Sequence, residues 1–207
     1  IKLERFIDAK VLLDQAKSKG IKGADFDQLE QRLNDANKAF GTKPDYVSVY
    51  YNMGIEFKKQ NKLEEAIEAY NKALAIKPDY AEAHHNMSFA LLATKDFYHG
   101  FKQSEWRWKT KNWINSFLKS TKPMWNGEKN QCVLVWGEQG IGDEIMFSSI
   151  IPDLYAASSQ VLVQCDKRLI PLVERSFPTD IIYYSKEAHV SEEVYDLHIP
   201  MGSLPLK

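Results

Sequence analysis

The chain has 207 residues, 44% of them apolar, with 27 Lys+Arg against 28 Asp+Glu and a net charge of −1. That is enough apolar material for a buried core, and the balance of charge argues against a disordered tail or a wholly basic nucleic-acid binder. No apolar stretch reaches the roughly 18 residues of a membrane span. The opening Ile1-Lys2-Leu3-Glu4-Arg5 lacks the hydrophobic region of a signal peptide and an initiator Met, so the expectation is a cytoplasmic protein or a piece of one. Cys132 and Cys165, the two cysteines, are too few for a disulfide framework and read as small core residues of predicted strands.

Charge is unevenly spread. Residues 1–130 carry 22 Lys+Arg and 17 Asp+Glu, and residues 131–207 carry 5 and 11, so a +5 half precedes a −6 half. A domain boundary near 130 follows. The sharpest basic stretch, 102–129, holds Lys102, Arg107, Lys109, Lys111, Lys119, Lys122 and Lys129. No nucleic-acid motif accompanies it, and a solvated face is the expected role.

From the N-terminus, the pattern predicts a helix over about Leu3 to Lys19, a Gly20-Ile21-Lys22-Gly23 linker, and a second helix that begins near Leu29. Residues 29–46, LEQRLNDANKAFGTKPDY, match residues 63–80, LEEAIEAYNKALAIKPDY, at nine of eighteen positions with an offset of 34. A period of 34 with paired helices resembles the tetratricopeptide repeat. The best repeat runs from Val47 to Tyr80. Gly54 allows close helix approach, Phe57, Ala66, Tyr70 and Ala73 pack between helices, and Pro78 ends the second helix. A further repeat keeps its first helix, Ala81 to Ala93. Its second helix, Phe97 to about Lys109, departs from the pattern, with Gly100 where Ala is usual. About three helix pairs are expected, the outer two modified as caps.

The inner face of such an array is lined by the first helix of each repeat. Here that face would present Tyr51, Asn52, Ile55 and Lys59, then His85, Asn86 and Phe89. Grooves of this family commonly bind peptides. Asn52 and Asn86, one repeat apart, would clamp a peptide backbone and Lys59 would meet a carboxylate; alternatively both amides satisfy hydrogen bonds between helices. Four of five tryptophans then fall between 106 and 125. Their expected role is packing between the two halves, with Trp106, Trp108 and Trp125 mostly buried there. Pro123 and Asn126-Gly127 mark the boundary, giving residues 1–122 as the array and 123–207 as a second domain.

The second domain opens with the apolar strand Val133 to Trp136, a loop carrying Gly137, Gly140 and Gly142, and Asp143-Glu144 at the start of an amphipathic helix. That helix is expected to run to about Ser158, bent at Pro152 or ending near it, with Ile145, Met146, Ile150, Ile151 and Leu154 toward a sheet. Strand Gln160 to Cys165, helix Lys167 to Phe177, strand Asp180 to Tyr184 and strand Tyr195 to Ile199 complete the reading. The order predicts a parallel sheet with its ligand loops at one edge. The fold class is therefore α + α/β: a tetratricopeptide-type helical hairpin array followed by a partial Rossmann-like parallel α/β domain.

The array, Trp125-Asn126-Gly127-Glu128, Trp136-Gly-Glu-Gln-Gly-Ile-Gly-Asp-Glu144 and Leu197-His-Ile-Pro-Met-Gly-Ser-Leu-Pro205 together resemble bacterial tetratricopeptide proteins with a heptosyltransferase-like, two-domain glycosyltransferase region. The resemblance implies an acceptor-side α/β half, with Asp143 as the base that takes a proton from the acceptor hydroxyl. The amides of Gly140 and Gly142 would face a donor phosphate. Asp143 as a simple helix N-cap is the alternative, and Glu138 is a second candidate acid. The implied partners are a protein or peptide in the array groove and a glycan acceptor, with a nucleotide-sugar only where a donor domain is added. No cofactor, nucleic acid or membrane span is implied. His189 and His198 lack metal-ligand spacing, and no metal site is expected. The competing reading is a non-catalytic peptide-binding scaffold.

Overall fold

The computed structural model describes residues 45–113 and 116–207, together with residues 23, 27–28 and 31–32. The helix expected over 3–19 and almost all of the repeat expected over 29–46 lie outside the described residues. The chain forms two compact units, one ending at Trp106 and the other running from Arg107 to Lys207. Residues 107–113 and 116–122 pack within the second unit, where Arg107 bonds Ser203, Ser120 bonds Tyr195 and Thr121 bonds Glu192.

In the first unit, α1 (Tyr46–Lys59), α2 (Leu63–Ile76), α3 (Ala81–Ala93) and α4 (Phe97–Ser104) pack in succession. Asp45 caps α1 by accepting the Ser48 N–H. The turns after α1 and α3 are copies of one another. Asn61 and Lys95, 34 residues apart, both sit in the left-handed region with φ of 58° and 66°. Each turn closes with an N–H reaching back across the helix end, Lys62 to Phe57 and Asp96 to Leu91. Ala66, Tyr70, Ala83, Met87 and Leu91 form the core between α2 and α3. Gly54 is required: a Cβ there would stand 2.5 Å from the Tyr70 ring. Gly100 has the same cause, since a Cβ would stand 2.7 Å from Leu92 Cδ2. The helix expected over 97–109 tightens to a 3₁₀ turn over Glu105–Lys109.

In the second unit, β1 (Cys132–Trp136), β2 (Gln160–Cys165), β3 (Ile182–Ser185) and β4 (Leu197–Pro200) form one parallel sheet in the order β3-β2-β1-β4. The central strands are buried on both faces, which is why Val133-Leu-Val-Trp136 and Val161-Leu-Val163 read as continuous apolar runs. Cys165 lies fully buried, and burial pushes its thiol up to about 11, as a packing residue requires. Cys132 is half-buried and also free.

The helix expected over 143–158 is two helices, α5 (Ile141–Ser148) and α6 (Ile151–Ala157). The break falls at Ser149–Ile150, immediately before Pro152, whose ring and missing N–H oppose a continuous helix. The expected inward face is also corrected. Ile145 and Met146 are 49% and 55% exposed, while Glu144 and Phe147 point inward with Ile151 and Leu154. Glu144 is drawn in by polar partners described below.

Within each unit the tryptophans have their own ring partners. Trp106 stacks on His84 in the first unit, with ring centroids 3.8 Å apart. In the second unit Trp108 packs edge-on to Trp113 and Phe117 and tilts against Trp136, while Trp125 is buried beside the sheet and donates to Glu128 O.

Candidate functional site

The first candidate lies on α1 and α3. Tyr51, Ile55 and Lys58 follow one another at i, i+4 and i+7 on α1, the spacing of one helix face. Lys58 Nζ donates to Asn86 Oδ1 at 2.9 Å, and Asn86 Nδ2 donates to Tyr51 Oη at 2.9 Å and Glu82 O at 3.0 Å. Both ends of the Asn86 amide are thus used between and within helices, as the interhelix alternative expects. Asn52 is exposed. Lys59 pairs with Glu56 at 2.7 Å on the exposed side of α1. Ile55 packs against the core edge, and Phe89 is 51% exposed with the His85 ring 5.0 Å away.

Lys58, which the sequence reading passed over for its neighbour, stands with its ammonium 5.2 Å from the Phe89 ring centroid. Partial burial alone pushes its pKa down. The signal was present: a residue seven positions after Tyr51 faces the same way, and one eight positions after is rotated away.

The second candidate is the carboxyl edge of the parallel sheet, where such folds bind ligands. Gly140 caps α5, so Asp143 occupies the first helical turn instead of serving as the N-cap. Asp143 is half-exposed, and its N–H donates to Gly140 O at 3.0 Å. Among the described residues its carboxylate has no hydrogen-bond partner. A Cβ at Gly142 would meet nothing within 4 Å, and one at Gly140 would meet only Asp143 Oδ2 at 3.7 Å. Open space, rather than close packing, surrounds these two glycines. A cavity of about 220 Å³ in this unit, lined by Trp125, Ile150, Leu154, Ala157 and Leu204 among others, shares no residue with the loop.

Two ion pairs hold the loop from below. Glu138 is buried and pairs with buried Arg107 at 3.1 Å, while accepting the Gly202 N–H at 3.1 Å. Burial pushes its pKa up, and Arg107 opposes that shift. Glu144, also buried, pairs with Lys186 and accepts the Asp166 N–H at 2.8 Å. Lys186 reaches further to donate to Gln139 O at 2.8 Å. Glu138 is therefore a structural carboxylate enclosed by its partners, while Asp143 faces outward. Arg107, Glu144, Lys186 and Ser203 were not readable from sequence, because each meets its partner across 22 to 96 residues. Among the described residues, no group of His, Cys, Asp and Glu is placed to hold a metal ion, and no helix is long and apolar enough to cross a membrane.

Comparison with known proteins agrees with the helical geometry. A tetratricopeptide repeat profile matches residues 54–94. Over 59 residues the chain is 36% identical to Protein FlbA of Caulobacter vibrioides, a match that covers 26% of this chain and 10% of that protein. The chain thus spans about a tenth of the length of the curated relative it matches. The protein is a tetratricopeptide-like helical array followed by a small parallel sheet with helices. Repeats of this kind point to a protein or peptide partner.

Proposed function

We propose that the helical array is a peptide-binding module whose contact face is built by Tyr51, Ile55, Lys58, His85, Asn86 and Phe89. The observation that carries this reading is Phe89, a large apolar ring left half in solvent beside a lysine and a histidine on one face of α1 and α3. Large exposed rings flanked by polar groups are the usual anchors of recognition surfaces. Panning a random dodecapeptide display library on the full chain tests it. Selected peptides should lose binding to a chain carrying Lys58→Glu and Phe89→Lys. Peptides that bind that double variant equally well would refute the assignment of the face.

A second reading concerns the α/β unit. Gly140-Ile141-Gly142-Asp143 stands at the carboxyl edge of β1 with Asp143 facing outward. This placement supports the acceptor-side half of a glycosyltransferase, with Asp143 as the general base for a glycan hydroxyl and a nucleotide-sugar held by a separate donor domain. Sugar transfer by the longest natural product of the gene, with and without Asp143→Asn, tests that reading.

A further inference from the structure

Lys58 is a half-buried cation with no matching anion among the described residues. Its hydrogen bond goes to the neutral Asn86 amide, and among the described residues no carboxylate pairs with it. Charges withdrawn from water are ordinarily paired, so an uncompensated ammonium on a recognition face is a standing demand for a negative group. The aromatic ring beside it, Phe89, offers apolar contact. The two features are 5.2 Å apart. In an extended peptide, side chains on one face recur every second residue at about 7 Å, close enough to serve both.

Building on the peptide-binding reading, we infer that this face selects an internal acidic side chain, Asp or Glu, two residues from a large apolar side chain. The carboxylate meets Lys58 and the apolar group lies on Phe89. A carboxylate at Lys58 gains a charge-assisted bond in a partly dewatered setting, and the neighbouring ring excludes further water from it.

The test is a synthetic octapeptide array with two fixed positions separated by one residue, probed with the full chain. Half the peptides carry an amidated C-terminus and half a free one. The expected result is enrichment of Asp or Glu paired with Phe, Leu or Ile in both sets. Lys58→Met should weaken the acidic preference about tenfold while leaving the apolar preference in place, which also shows that the variant is folded. Phe89→Ser should do the reverse, and Lys58→Arg should retain both. Peptide binding without an acidic preference, an acidic preference untouched by Lys58→Met, or a preference for the free C-terminal carboxylate would overturn the inference and leave the peptide-binding reading standing. Binding of no peptide at all would overturn both.

Discussion

Replacing Arg107 with Met should destabilise the second unit by about 3 kcal/mol at neutral pH. Both side chains of the Arg107–Glu138 pair are at most 2% exposed and lie 3.1 Å apart. Removing one partner of a buried pair costs about 3–5 kcal/mol, because the other charge is left in a low-dielectric setting. The lower end applies here, since the Gly202 N–H and the Gln139 amide still donate to Glu138. For a unit of about 100 residues this corresponds to a fall in Tm of about 12 °C or more. Urea unfolding followed by tryptophan fluorescence measures it.

The effect also has a predicted pH dependence. Burial already raises the Glu138 pKa, so the folded state binds a proton more readily than the unfolded one. Stability from this group is present below the unfolded value near 4.5 and is lost as pH rises through the folded value. Without Arg107 the folded value climbs further, so the deficit should be largest at pH 7 and shrink toward pH 5. Arg107→Met combined with Glu138→Leu should recover much of the loss. A single variant within about 1 kcal/mol of wild type at pH 7, or a deficit independent of pH, would refute the assignment of the pair as a buried ionic contact.

Gly54→Ala should cost about 1–3 kcal/mol in the first unit by forcing a methyl against the Tyr70 ring, measured as a lowered helical melt by circular dichroism. His198 is buried and accepts the Trp136 Nε1–H at Nδ1, and burial holds its pKa below the usual value while its hydrogen bond with the Lys122 backbone, and then Glu192, oppose the shift. The unfolded chain therefore takes up a proton that the folded chain refuses. Stability should fall as pH drops below about 6.5, and this slope should be absent from the profile of His198→Phe; equal slopes in the two proteins would exclude the role. Asp143→Asn should leave the melt within about 0.5 kcal/mol of wild type, because the side chain is half-exposed and unpartnered among the described residues. In a protein that pairs this unit with a donor-binding domain, the same change should lower transfer by roughly 10²–10⁴-fold, and undiminished turnover would end the glycosyltransferase reading.

Much of this architecture was legible in sequence because it depends on local regularities. The 34-residue period located α1 to α3, and Gly54, Ala66, Tyr70 and Ala73 were recognisable as packing residues since helix pairs repeat their contacts at fixed offsets. The fully buried strands β1 and β2 announced themselves as unbroken apolar runs. What sequence could not decide was which polar groups go inward. Glu144 follows a loop and begins an amphipathic pattern, so it reads as a surface residue, yet the fold buries it against Lys186 from beyond β3 and exposes Ile145 and Met146 instead. Arg107 stood in a basic stretch that read as a solvated face, but its partner Glu138 and its hydroxyl contact Ser203 converge on it only after the sheet closes. Asn86 read as a groove residue, and the fold shows it held by Tyr51, Glu82 and Lys58, with Lys58 meeting no carboxylate among the described residues. Periodicity fixes which side of an element meets the core, whereas the pairing of charges depends on distances between segments remote in the chain, and those exist only in the folded molecule.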